Sequence, residues 1–336
     1  MRGSGLWRDV MEMPEALART LAADAGLDDA VRILSDPEVR RVVATGNGAA
    51  YYVAFALQLA SHAAPRGPEL VALPAGVVAD PGFAWRPDDR LLAVSSSGEF
   101  KDVIRAIEQG APRPIVAITA HADSTLGRLA DAACLQTVLH QRAITHTQAL
   151  AGALAVGLRL WGRVTGDHGL AALPDLLPER LAAAIADAPG WAEEHLATVG
   201  CPEAAAAFGG GPAWAAALEG ALLLKEISRI PAEGAETREG ATSVMYGLHD
   251  RCLVLALPTD GDGGFAEAVD VCRATGARVE AVPGGTGVDR RLAFATLIPG
   301  LSAAAGALAD RLGHDIDDPT WTAAYYATAR ADGAAP

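Results

Sequence analysis

The strongest constraint on this chain is that it resembles itself. The stretch "VVATGNGAAYYVAFALQLA" (Val42 to Ala60) returns as "AAAFGGGPAWAAALEGALL" (Ala205 to Leu223), 163 residues further on. The same offset carries "LLAVSSSGEF" onto "LVLALPTDGDGGF", with Ser95 falling on Pro258, and "PIVAITA" onto "ARVEAVP", with Val116 falling on Val279. Three landmarks at one offset read as a duplicated domain.

Each copy reads as strand, glycine turn, helix, strand, turn, helix, strand. In the first copy strands are predicted at Arg41–Ala44, Glu69–Leu73, Arg90–Val94, Pro114–Thr119 and Ala133–Val138; in the second, at Ala204–Phe208, Arg251–Leu257, Ala277–Val282 and Ala293–Ile298. These are short apolar runs without strict alternation, the pattern of strands buried on both faces. Helical stretches between them make right-handed βαβ units, so each copy is expected to be α/β with a parallel sheet flanked by helices, a flavodoxin-like three-layer arrangement. "HTQALAGALAVGLRLWGRVTG" is strongly helical, "DHGLAALPDLLPER" supplies the Gly and Pro breaks of a linker, and another helix is predicted near Leu181 to His195. "PEALARTLAADAG" reads as an N-terminal helix packed on the core. The expected division is an N-terminal helical segment at 1–36, a first domain at 37–168 and a second at 180–336.

Composition narrows the function classes. At 336 residues there is room for two ordinary domains, and hydrophobic residues at 51% with aromatics at only 5% suit tightly packed α/β layers. The net charge of −14 argues against a nucleic-acid partner, because a polyanion needs clustered Lys and Arg. Cys134, Cys201, Cys252 and Cys272 lie far apart with no CxxC pair, so neither a zinc site nor a disulfide framework is suggested. No apolar run is read as a membrane span, and the N-terminus does not read as a cleavable leader, so a cytoplasmic location is the expectation.

In an open parallel sheet, ligands sit beyond the carboxyl ends of the strands. A helix start there offers unpaired N–H groups and a partial positive charge. Ser95, Ser96 and Ser97 end a predicted strand, Gly98 allows a tight turn, and Glu99 to Gln109 reads as a helix. Three hydroxyls with adjacent amides could surround a phosphate; the alternative is an ordinary capping turn with Ser96 or Ser97 as N-cap. Gly46, Asn47 and Gly48 have the same strand-to-helix placement, with glycines that let a ligand approach the backbone, although neither the dinucleotide fingerprint nor a Walker lysine is present. In the second copy Pro258-Thr259-Asp260-Gly261-Asp262 replaces the serines, so an anion site is expected in the first copy. A third group lies in "ALEGALLLKEISRIPAEGAETREG" (Ala217 to Gly240), where Glu219, Lys225, Glu226 and Glu233 sit in or just after an apolar helix. A carboxylate following three leucines, Glu226, is a candidate general base through partial burial; the alternative is a helix end turning to solvent.

Together these motifs resemble the double sugar isomerase (SIS) domain family, in particular the isomerase half of glucosamine-6-phosphate synthase and its deglycase and deaminase relatives. "MEMPEALARTL" is similar to the family's Glu-x-Pro-x-x-Leu-x-x-Thr opening helix, "GNGAAYYVA" to its G-x-G-[TS]-S-Y-x-A turn and "SSSGEF" to its S-x-S-G-E-T loop. "ITAHADSTLGRLAD", "ALEGALLLKEISRIPAEG" and the tail "GHDIDDP" follow in the family's order. The resemblance implies two tandem SIS domains, a phosphosugar ligand on Ser95, Ser96 and Ser97, and Glu226 as the carboxylate that moves a proton between C1 and C2. It also implies a homodimer; the sequence gives no metal signal, and proton-transfer chemistry of this kind requires no cofactor. The synthase's N-terminal glutaminase domain has no counterpart in the sequence, so ammonia release from glutamine is not expected.

Four departures bear on chemistry. The turn serine of the family is Ala50, the threonine closing the serine loop is Phe100, the histidine credited with ring opening is Thr242 in "EGATSV" after Glu239, and the tail lysine falls near Ala324. A further helix lysine falls on Leu223. His146, where the family has a lysine, and His249 or His314 are candidate substitutes, with His314 favoured because the tail loop lies near the sugar in the family. The expected site is therefore Glu226 and His314 for catalysis, with Gly46, Asn47, Gly48, Ser95, Ser96, Ser97, Phe100, His146, Glu239 and Thr242 around the substrate. The expected activity is aldose–ketose isomerisation or amine release from C1 or C2 of a sugar phosphate or amino-sugar phosphate. The competing expectations are a SIS-fold sugar sensor that has lost catalysis, and a specialised enzyme whose substrate carries no phosphate, with Phe100 against it.

Overall fold

A computed structural model describes residues 1–62, 66–317 and 322–330. It contains two parallel sheets. The first comprises β1 (Arg41–Gly46), β2 (Glu69–Pro74), β3 (Asp89–Val94), β4 (Val116–Thr119) and β5 (Ala132–Leu135) in the order β2-β1-β3-β4-β5. The second comprises β6 (Ala204–Gly209), β7 (Ala232–Glu236), β8 (Cys252–Leu257) and β9 (Arg278–Ala281) in the order β7-β6-β8-β9. The second order repeats the first four strands of the first. Arg41 and Ala204, Glu69 and Ala232, and Asp89 and Cys252 open equivalent strands 163 residues apart.

The chain divides into two compact units. One holds the first sheet, within Glu15–Leu139, together with Gln148–Leu176; the other holds Met1–Pro14, His140–Thr147 and the second sheet. In the first-sheet unit the apolar runs of β1, β3 and β4 are buried on both faces, and Leu91, Ala93, Val103, Ile107, Ile115 and Leu126 form one continuous cluster. At the amino end of the sheet Arg41 forks onto Asp89 at 2.8 and 2.5 Å, and the Arg86 N–H donates to the same carboxylate at 2.8 Å. Burial alone would raise the Asp89 carboxyl; the Arg41 guanidinium overrides it, and the group lies below its usual range.

In the second-sheet unit Phe208, Val254, Ala256, Ala268 and Cys272 make the corresponding core. The predicted strand Ala293–Ile298 is overturned: those residues begin the helix Ala293–Leu312. A short apolar run cannot by itself distinguish a buried strand from a buried helix. This helix is apolar on nearly every side because it packs against the helices Leu177–Leu196 and Pro212–Leu223. Arg290–Leu312 is long and apolar enough to cross a membrane, and 94% of its most apolar window is buried inside the protein, as in a core helix.

Candidate functional site

The first sheet has its switch point between β1 and β3, and both turns leading from them carry expected site residues. Gly46 ends β1, where a Cβ would stand 2.7 Å from the Ala50 carbonyl carbon, so only glycine lets the chain fold back this closely into the helix Ala49–Ser61. Asn47 donates through Nδ2 to Asp102 Oδ2 at 3.2 Å, which joins the first turn to the helix after β3. Asn47 Oδ1 is buried and accepts no hydrogen bond among the described residues. Gly48 caps its helix at φ 51° and ψ −124°; its counterpart Gly211 does the same at φ 58° and ψ −134°.

The serine loop is not a helix cap. The helix after β3 runs Lys101–Glu108 with Phe100 at its N-cap and no side-chain cap, so the reading of Ser96 or Ser97 as N-cap is overturned. Instead Ser95 Oγ accepts from the Gly98 N–H at 3.1 Å and Ser97 Oγ from the Glu99 N–H at 3.3 Å, closing a turn of its own. Gly98 holds φ 69°, and a Cβ there would collide with Ser124 Oγ. The loop is tied to its neighbour: Ser96 O accepts from the Ala120 N–H and from Thr119 Oγ1, Gly98 O from the Leu126 N–H, and the Glu99 carboxylate from the Thr125 N–H and hydroxyl, both at 2.8 Å. Among the described residues no hydroxyl of Ser95, Ser96 or Ser97 has an acceptor for its proton, and the N–H groups of Ser96 and Ser97 are unpaired. The result is a rigid turn with five uncommitted donors. Phe100 packs its ring on the apolar cluster of the sheet, and its backbone bridges to Arg330.

The equivalent turn of the second sheet is filled from within. A Cβ at Gly210 would meet the Asp262 carboxylate at 2.5 Å, and one at Gly211 would collide with Arg290. Asp262 accepts from Thr237 Oγ1 at 2.6 Å and from the Gly264 N–H at 3.2 Å, while Asp260 accepts from the Gly287 N–H at 3.0 Å.

The second-sheet unit has a different feature, a pair of carboxyl groups. Helix Pro212–Leu223 passes directly into a π-helical turn, Leu224–Ser228, and Arg229 ends it at φ 57°. Such turns are uncommon and concentrate at functional sites. Glu226 sits in the turn with part of its side chain at the surface, and burial of its carboxyl pushes the pKa up to about 7, against a lowering by Lys225. Glu219, two helical turns earlier, is 2% exposed and its Oε2 has no partner among the described residues. Burial, then the charge of Glu226, pushes its pKa up to about 8. Glu219 is not among the expected site residues, and its spacing of seven from Glu226 is the signal in the sequence that points to it.

The remaining expected residues sit as follows. Glu239 accepts from Ser243 Oγ at 2.7 Å, and Thr242 is exposed and donates to its own helix at Arg238 O, 2.8 Å. His314 follows the helix Ala293–Leu312 and closes its end through its N–H to Ala309 O at 3.0 Å. His146, partly buried, immediately precedes the helix Thr147–Thr165. His249 accepts from the Arg251 N–H at 3.3 Å. The tail motif runs from Gly313 into residues 318 and 319, which lie outside the described residues.

No family model matches the chain. At 26% identity over 318 residues, 87% of the chain aligns with glutamine–fructose-6-phosphate aminotransferase (isomerizing) of Pyrobaculum aerophilum. The chain spans about half the length of that relative, 50%. Among solved structures, the C-terminal domain of glucosamine-fructose-6-phosphate aminotransferase from Francisella tularensis superimposes with a TM-score of 0.80 at 17% identity, covering 94% of this chain and 98% of that one. The chain resembles the sugar isomerase (SIS) family. A further solved structure, glucosamine-6-phosphate deaminase from Thermotoga maritima, superimposes with a TM-score of 0.79 at 18% identity, over 94% of this chain and 98% of that one. Among the described residues, the serine loop of the first sheet and the carboxyl pair of the second are two features with chemistry to offer.

Proposed function

We propose that this protein is a SIS-type enzyme of sugar-phosphate or amino-sugar-phosphate metabolism, built as two tandem SIS domains. The serine loop Ser95–Ser97 takes the anionic end of the substrate, and Glu226 moves a proton between C1 and C2. The reaction is aldose–ketose isomerisation or release of an amine from C1 or C2. In isomerisation the carbon proton leaves one centre and returns to its neighbour while a hydroxyl proton moves the opposite way through an enediol, so no oxidant or reductant is consumed.

The observation that carries this reading is the set of uncommitted donors at the switch point of the first sheet, where an anion needs no lysine to be held. The carboxyl of Glu226 adds a base matched to neutral pH, since proton transfer is most efficient when the catalytic pKa lies near the working pH. A homodimer, a catalytic role for His314 and substrate contacts from Gly46, Asn47, Gly48, Phe100, His146, Glu239 and Thr242 belong to the same proposal.

A second reading is favoured by one observation: Thr242, where the family's ring-opening histidine falls, spends its hydroxyl on its own helix. That reading is a sugar-binding protein without turnover. Incubation with fructose-6-phosphate and with glucosamine-6-phosphate in D₂O separates the two. Deuterium at C1 or C2, abolished by Glu226→Gln, is the expected result. Thermal stabilisation by a sugar phosphate with no exchange would replace the enzyme by the binding protein, and stabilisation by free sugars alone would remove the phosphate from the proposal.

A further inference from the structure

Glu219 is a buried acid that the proposed reaction does not use. It lies on the core side of helix Pro212–Leu223, and the residue one turn later, Leu223, is a fully buried hydrocarbon. A buried carboxylate is normally paired with a cation, because an uncompensated charge out of water is strongly unfavourable. Among the described residues, the elements packed around this helix supply none. Strands β6 and β8 carry no charged residue. On β7, Glu233 is exposed and Glu236 accepts from the Arg238 N–H at 2.7 Å. On the helix Ala293–Leu312, Asp310 is paired with the Met1 ammonium and Arg311 donates to the carbonyls of Leu196, Ala197 and Val199. Arg290 lies against Gly211, at the opposite end of the helix, and Arg291 pairs with Asp289 at 2.7 Å. Lys225, in the π-turn, and Arg229, at its end, are exposed. Among the described residues, the only charge that acts on the Glu219 carboxyl is that of Glu226, of the same sign.

We propose that Glu219 is carried as a neutral carboxylic acid, so that the proton-accepting carboxylate of Glu226 ionises without a second negative charge two turns before it. The proposal rests on the reading of Glu226 as the base, and assigns the helix a division of labour between one acid kept protonated and one left free to ionise. Burial raises both carboxyl groups, and the like charge of Glu226 raises Glu219 further, so Glu219 is the one that keeps its proton when Glu226 ionises.

Infrared difference spectroscopy on the whole protein tests the protonation state without any substrate. At pH 7 a protonated-carboxyl C=O band is expected in Glu226→Gln, where Glu219 alone supplies it; it is expected to be weaker in Glu219→Gln than in the wild type, reduced to the share that Glu226 carries, and absent when both are replaced. Removing the Glu226 charge is expected to move the midpoint at which the Glu219 band vanishes to lower pH. The deuterium-exchange profile gives the activity arm: Glu219→Gln exchanges one neutral group for another and keeps the wild-type inflection. A band indifferent to Glu219→Gln, a midpoint indifferent to Glu226→Gln, or an inflection displaced to acid by a unit or more in Glu219→Gln would overturn the proposal. If Glu219→Gln does not fold, the Glu226→Gln titration decides alone, since it leaves Glu219 in place. Absence of exchange with every sugar, alongside the expected infrared result, would overturn the role beside a working base while leaving the neutral state of Glu219 established.

Discussion

The Glu99 carboxylate takes both donors of Thr125, its N–H and its hydroxyl, at 2.8 Å each. That contact fastens the serine loop to the start of the short helix Thr125–Leu129, whose own N-cap Ser124 lies under Gly98. The loop is therefore held from two sides before any ligand arrives, which is the condition for donors to act at full strength.

Breaking this fastening loosens the loop. A double-mutant cycle with Glu99→Gln and Thr125→Val is expected to show a coupling energy of about 0.5–3 kcal/mol in urea unfolding, the range for residues in direct contact. Glu99→Gln is also expected to weaken stabilisation by a sugar phosphate, through the loop that this contact fastens. A coupling within measurement error, about 0.3 kcal/mol, would mean the contact does not hold the loop.

Gly98→Ala meets two obstacles, a backbone at φ 69° and a Cβ that collides with Ser124 Oγ. Left-handed backbone costs a non-glycine residue on the order of 1–3 kcal/mol. The variant is expected to lose that much stability together with its sugar-phosphate thermal shift. Adding Ser124→Gly removes the collision and not the backbone strain, so only part of the loss returns; full recovery would show that sterics alone require the glycine.

The carboxyl pair makes stability fall as pH rises. Glu219 at about 8 and Glu226 at about 7 both lie above the value of 4.5 they have when unfolded. The native state therefore binds more protons than the unfolded state between these values, and the stability present below about pH 4.5 is lost as pH climbs through 7 and 8. Measured by urea unfolding from pH 4 to 9, Glu219→Gln is expected to gain on the wild type with increasing pH, by on the order of several kcal/mol at the alkaline end. A difference that stays constant across this range would show that Glu219 titrates as an ordinary surface carboxylate.

Much of this architecture is legible in the order of the residues. The 163-residue offset aligns β1 with β6, β2 with β7 and β3 with β8 because the two parallel sheets repeat the same strand spacing. What the sequence hides is set by neighbours. Strand β7, "AEGAE", has the composition of a surface loop and becomes an edge strand because Gly234 lets it approach the helix backbone, where a Cβ would stand 2.6 Å from Ala217 O. Ala293–Ile298 looks like a strand until the helices that surround it are known. Ser96 and Ser97 are equally suited by type to capping and to ligand binding, and only the start of the next helix at Lys101, four residues past Ser97, separates the two. Glu219 stands out as an unusual residue in an apolar helix, but its missing cation is a property of the elements packed around it.

Phe100 tests whether this loop gave up affinity for packing. Its ring lies on the cluster formed by Leu91, Ala93, Val103 and Ile107, at the position where the family closes the loop with a hydroxyl. Phe100→Thr removes most of that ring contact, and large-to-small changes at fully buried sites cost about 3–5 kcal/mol, so a smaller loss of about 1–3 kcal/mol is expected at this half-buried position. The same change puts a hydroxyl at the end of the serine loop, and a hydrogen bond to a charged group is worth about 1.5–3 kcal/mol. Phe100→Thr is thus expected to be less stable without ligand and to bind a sugar phosphate at least tenfold more tightly, read by calorimetry on the folded protein. Weaker binding by the folded variant would place the Phe100 ring in contact with the ligand, and would favour a substrate recognised through an apolar face over one held by its phosphate.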